Sequence, residues 1–113
     1  MPGPRPQPPP TPAEVSVFDE NGAYVFKTED GLAIYTYARD TPGRSACTDA
    51  CAQAWPPVIA PPDAKSFADW TVVNRGGSRQ WAYKGRPIYT FARDAPGAPH
   101  GDGVGGVWAL VRP

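Results

Sequence analysis

Gly31–Gly43 reads GLAIYTYARDTPG, and 54 positions later Gly85–Gly97 reads GRPIYTFARDAPG. Nine of the thirteen positions are identical, and Phe91 stands where the first copy has Tyr37. Repetition this close means that one supersecondary unit was built twice. It separates what both halves need from what one half alone carries. The unshared residues are Cys47 and Cys51 in the first half and His100, set among glycines, in the second.

Turn signals on either side divide the chain into short runs rich in Val, Tyr, Phe, Trp, Ile and Thr. Val15–Asp19 and Ala23–Lys27 read as strands joined by Asn21-Gly22, the strongest short hairpin signal. Asp30-Gly31 marks the next turn, and Leu32–Ala38 a third strand. The second half repeats the plan with Trp70–Asn74, Gly76-Gly77, Arg79–Tyr83, Lys84-Gly85 and Arg86–Ala92. Each half is therefore expected to be a three-stranded antiparallel meander, and the whole chain mainly β. A tryptophan segment closes each half, Trp55-Pro-Pro-Val in one and Trp108-Ala-Leu-Val in the other. The alanine-rich connection Ser45–Ala54 reads as one short helix, with Ser45 as N-cap and Pro56 as its stop. Four glycines in Ala98–Gly106 predict an irregular loop instead.

The sequence has 113 residues, and positions 2–12 hold seven of its sixteen prolines with no large apolar side chain. Residues 1–13 thus read as an extended proline-rich tether that does not join a core. Residues 14–113 read as a single domain of two repeats, at about 15–60 and 69–112. Eleven basic residues balance eleven acidic ones with no run of like charge. That balance argues against nucleic-acid binding and against a polybasic membrane anchor. No apolar run approaches the roughly 20 residues of a membrane span. Met1 leads straight into proline-rich sequence, so no signal peptide is read in the sequence as it stands. The tether and the cysteine pair nevertheless favour an extracytoplasmic location, periplasmic or secreted.

Strand alternation puts Tyr35, Tyr37 and Arg39 on one face and Ile34, Thr36 and Ala38 on the other. Tyr89, Phe91 and Arg93 repeat the first set. Two readings compete for the motif residues Tyr35, Tyr37, Asp40, Tyr89, Phe91 and Asp94. Either the aromatics pack a core while each aspartate caps its Pro-Gly turn through an Asx-type bond, or they form a doubled aromatic-plus-Asp ligand pocket. Duplication favours the first. Cys47 and Cys51 are four apart, which on a helix places them on one face at disulfide distance. Closing so small a loop stabilises by about 2 kcal/mol. A redox pair or half a metal site remains an alternative, although redox motifs usually carry two intervening residues. A metal would need two more ligands, with His100 the sole nitrogen donor. His100, Asp102 and Trp108 mark a candidate ligand loop, too poor in oxygens for calcium and lacking the context of a phosphate loop.

Tyr35-Thr-Tyr37-Ala-Arg-Asp40 and Tyr89-Thr-Phe91-Ala-Arg-Asp94 resemble the Tyr-x-aromatic-x-x-Asp pattern of a family of predicted bacterial lipoproteins, also described as secreted repeats of unknown function. Cys47-x-x-x-Cys51-Ala-x-x-Trp55-Pro-Pro is similar to its cysteine–tryptophan signature, and Gly101-Asp-Gly-Val-Gly-Gly-Val-Trp108 to its C-terminal one. The resemblance covers about residues 23–111. It implies export, often as a lipoprotein, and it implies no activity.

The expectation is a non-catalytic, monomeric extracytoplasmic module that binds a small ligand or an envelope component, without cofactor. The alternative is a metal, haem or redox protein using Cys47, Cys51 and His100. A third reading makes Asp40 and Asp94 a glycosidase-like carboxylate pair.

Overall fold

A computed structural model describes residues 8–113, so the first seven residues of the expected tether lie outside the described residues. The protein is mainly β. Its elements are β1 (Val15–Glu20), β2 (Ala23–Thr28), β3 (Tyr35–Tyr37), α1 (Ala50–Ala54), β4 (Ile59–Ala60), β5 (Trp70–Asn74), β6 (Arg79–Tyr83), β7 (Arg86–Tyr89) and β8 (Trp108–Leu110). A short 3₁₀ turn, Val104–Gly106, precedes β8.

β1 and β2 form a separate two-stranded hairpin. Its turn residues Asn21 and Gly22 both take positive φ, the primed geometry that matches strand twist. Lys84 and Gly85 do the same between β6 and β7. The larger sheet runs β4-β6-β7-β3-β8, with β5 also on β6.

The second half forms the expected meander, β5-β6-β7. In the first half the third strand leaves its hairpin after a single bridge, Lys27 to Ala33. β3 ladders instead with β7 and β8, both from the second half. The register of β3 on β7 sets Tyr35 opposite Tyr89, its own counterpart in the repeat. A pseudo-twofold axis therefore passes between the two tyrosines.

The exchange is mutual. Ala38 N–H donates to Val107 O and Ala92 N–H to Ala54 O, at 2.7 and 2.9 Å. Val111 N–H donates to Ile34 O and Val58 N–H to Ile88 O, at 2.9 and 3.1 Å. Each tryptophan segment thus lies along the motif strand of the other half. The two halves interlock rather than stand side by side.

Alternation along β3 and β7 divides the interior. Ile34 and Ile88 face one core with Val15, Phe26, Trp70 and Trp81. Tyr35 and Tyr89 face a second with Cys47, Trp55 and Trp108.

Two local expectations are corrected. The helix begins at Ala50, and its N-cap is Asp49, not Ser45. Ser45 is drawn into side-chain bonds with Tyr89 and Arg75, which leaves it outside the helix. The end of the tether also joins the domain. Pro12 is buried, Pro10 O accepts Trp70 Nε1–H at 2.7 Å, and Glu14 accepts Trp81 Nε1–H at 2.7 Å. Two buried indoles need acceptors, and this segment supplies both. No helix among the described residues is long and apolar enough to cross a membrane.

Candidate functional site

The motif residues meet across the pseudo-twofold axis. Tyr35 Oη donates to Asp94 Oδ2 at 2.5 Å, and Tyr89 Oη donates to Asp40 Oδ2 at 2.6 Å. The second oxygen of each aspartate accepts a backbone amide six residues on, Ala46 N–H for Asp40 and His100 N–H for Asp94. The aspartates therefore span the whole loop after the motif, a longer reach than the expected Asx bond within the Pro-Gly turn. Arg39 and Arg93 point to solvent.

Above this brace lies a stack of four rings in the order Tyr37, Trp108, Trp55, Phe91. Successive centroids are 4.3, 3.8 and 4.0 Å apart. Tyr35 stands edge-on to Trp55, and Tyr89 edge-on to Trp108. All six aromatic positions are thus shared between equivalent places in the two repeats. Two tyrosines buried beside carboxylates are hard to ionise. Burial first, then the bond to Asp94 or Asp40, pushes both hydroxyls up to about 12. Ionisation would turn the donor of the brace into a second anion beside the first.

The copies differ in what touches each tyrosine oxygen. Tyr35 Oη accepts Gly101 N–H at 3.1 Å. Tyr89 Oη lies 2.5 Å from Ser45 Oγ. The single Tyr89 hydrogen goes to Asp40, so Ser45 donates to Tyr89 and its oxygen accepts Arg75 Nη1–H, also at 2.5 Å. Arg75 further donates to Gln80 Oε1 and Cys47 O. Buried Gln80 in turn donates to Ile88 O. The sequence points to neither Arg75 nor Gln80, and to Ser45 only as a helix N-cap. Setting the copies side by side would have flagged Ser45, because Pro99 occupies its place in the second.

Ser45, Tyr89 and Asp40 stand in a line that resembles a nucleophile–base–carboxylate triad. A phenol held near 12 stays protonated at neutral pH and takes no proton from a serine. Asp40 and Asp94 each have both oxygens engaged by a tyrosine and an amide.

Cys47 and Cys51 form a disulfide, with Cα atoms 5.2 Å apart. It links the buried Cys47 to the first turn of α1 rather than two residues within one helix. The thiolate is the metal-binding form, and two sulfurs bonded to each other offer none. Among the described residues no group of three or more His, Cys, Asp or Glu side chains is arranged to hold a metal. The metal alternative built on Cys47, Cys51 and His100 is therefore not favoured.

The glycine-rich loop is explained by packing. Gly101 lies where Cys47 lies in the first half, over the aromatic cluster, and a Cβ there would come within 2.7 Å of the Tyr35 ring. Asp102 accepts Leu110 N–H at 3.1 Å, which covers the outer edge of β8. Trp108 belongs to the stack, and the His100 side chain is exposed.

A family model described as a secreted repeat of unknown function matches residues 19–59 and again 70–112, once on each half. No curated protein and no solved structure is significantly similar to the chain. The family description and the disulfide are both consistent with an extracytoplasmic protein.

Proposed function

The chain belongs to the family of secreted repeats of unknown function, and from that premise we propose that it is a non-catalytic extracytoplasmic binding module. One observation carries this reading. The motif residues that sequence reasoning singles out for chemistry are engaged in the reciprocal brace Tyr35–Asp94 and Tyr89–Asp40. A group fixed in a structural bond on both sides has little freedom to serve a substrate. What remains available lies where the copies differ, near Ser45 and the Cys47–Cys51 disulfide in one half and around His100 in the other. The module acts as a monomer whose two halves together form one rigid platform. It is released from the cell or held at its surface, where oxidising conditions keep the disulfide.

The test is unfolding of Tyr35→Phe and Tyr89→Phe. Each removes one hydroxyl and leaves its aspartate partner short of a donor, which costs about 1–3 kcal/mol. Two variants as stable as the unmodified protein would show that the tyrosines are not structural, and the module reading would fall.

A further inference from the structure

One feature of the first half is not needed by the brace. Gly101 of the second half holds the Tyr35 oxygen with a backbone amide alone, whereas the first half holds the Tyr89 oxygen through Ser45 and, behind it, Arg75. Since the same brace forms without them, Ser45 and Arg75 are additions specific to one copy. They line a cleft of about 470 Å³ together with Gly43, Arg44, Thr48 and Asn74. Two hydroxyls, one amide and two guanidinium groups lie along it beside the apolar Val72 and Val73, and no carboxylate is among its lining residues.

Arg75 is the fixed point. Three of its bonds are accounted for, to Ser45 Oγ at 2.5 Å, Gln80 Oε1 at 3.0 Å and Cys47 O at 2.7 Å. All three acceptors are neutral, and a guanidinium has five N–H donors. The side chain is partly buried and oriented in advance, with donors left over. Arg44 is exposed at the rim and adds a second charge that can close on a ligand. A pre-set fork beside an exposed cation suits a group with several anionic oxygens.

From this we infer that the cleft between Arg44, Ser45, Thr48 and Arg75 binds a phosphate group. The group is either free phosphate or the phosphomonoester or phosphodiester of a larger envelope component. The Thr48 hydroxyl and the Asn74 amide complete the donor set around the two arginines, while Ser45, whose one hydrogen goes to Tyr89, holds Arg75 in place. The inference rests on the module reading only in naming its ligand. Failure here leaves the stability test of Tyr35 and Tyr89 untouched.

The test is an amide chemical-shift titration of the full chain at low ionic strength. The probes are inorganic phosphate, glycerol phosphate and phosphatidylglycerol vesicles, each against sodium chloride at matched ionic strength. Saturable shifts centred on residues 43–48 and 74–75 are expected with phosphate or glycerol phosphate. Arg44→Gln, which touches no brace residue, should weaken them about tenfold, the loss of one charge-assisted bond. Arg39→Gln, exposed and outside the cleft, should leave them unchanged. Arg75→Lys keeps the charge but loses the fork, and should also weaken binding. Shifts that never saturate, or that fall equally in Arg44→Gln and Arg39→Gln, would overturn the site. Vesicle binding that survives Arg44→Gln would assign the effect to general surface charge and would overturn it as well.

Discussion

Trp55 and Trp108, equivalent residues of the two repeats, lie face to face with centroids 3.8 Å apart and planes 4° apart. The pseudo-twofold axis makes each ring the other's partner. Tyr37 covers the outer face of Trp108, and Phe91 that of Trp55. Both indoles come from segments that lie along the opposite half's motif strand, so the stack joins the two repeats. It is the apolar counterpart of the Tyr–Asp exchange beneath it.

Removing one indole should therefore cost more than its own burial. Trp55→Ala or Trp108→Ala leaves a cavity beside an unmatched ring and should destabilise by about 3–5 kcal/mol. Stacked indoles couple their transitions, so near-ultraviolet circular dichroism should carry a paired signal of opposite sign. Trp108→Phe should abolish that signal while keeping much of the stability. A signal that survives it would place the coupling elsewhere.

Alkaline pH tests the brace without mutation. Tyr35 and Tyr89 are raised from 10.0 to about 12 in the folded protein. A folded-state value above the unfolded one means that the folded protein holds these protons more tightly. Their contribution is fully present below pH 10 and is lost as pH rises towards 12. Denaturant midpoints should show no tyrosine-linked change up to about pH 10 and then fall. The double variant Tyr35→Phe/Tyr89→Phe should lose that part of the fall. An equal decline in both proteins would assign it to other groups.

Much of the fold could be read from local signals. β5 and β6 fall where residue type and flanking turns put them, and Asn21-Gly22 makes its hairpin because two positive-φ positions suit that dipeptide. The disulfide was legible as the favoured reading of the cysteine pair, but not through a shared helix face, because Cys47 lies before α1. What stayed hidden is non-local. Nothing in Leu32–Ala38 says that its strand will ladder with the other half, since the alternation is the same whichever neighbour it meets. The short β4 and β8 escaped for a similar reason, because each is a strand only by virtue of a distant partner. The tyrosines and aspartates were legible as a motif. Their exchange between copies was not, because a repeat shows which residues recur and not which copy each one faces.

Two glycines without positive φ differ in what surrounds them, Gly101 in the second loop and Gly77 in the turn between β5 and β6. Gly101→Ala would place a methyl 2.7 Å from a Tyr35 ring carbon and 2.9 Å from Trp55. Both rings are buried, so neither can yield freely, and a loss of about 1–3 kcal/mol is expected. Gly77→Ala meets nothing within 4 Å and does not have positive φ, so it should stay within about 0.5 kcal/mol. Melting curves of the pair separate close packing from loop flexibility. Equal effects would mean that the loop does not press on the aromatic cluster.

The exchange also fixes the unit of folding. Tyr35 and Tyr89 find their aspartates in the other half, each tryptophan segment lies along the other half's strand, and the four-ring stack alternates between halves. A fragment such as 8–66 keeps its hairpin and its disulfide but loses every one of those partners. A lone two-stranded hairpin is marginal in water, and the β5-β6-β7 meander of 67–113 loses Val15, Phe26, Ile34 and Val58 from its core, so fragments 8–66 and 67–113 should each be unfolded alone by circular dichroism and amide dispersion. Mixed together, they should regain dispersion at the Trp55 and Trp108 indoles, because the interface they share is the core itself. Mixing should fail when one fragment carries Trp55→Ala. A fragment that folds on its own would show that the exchanged contacts are not what holds the repeats together.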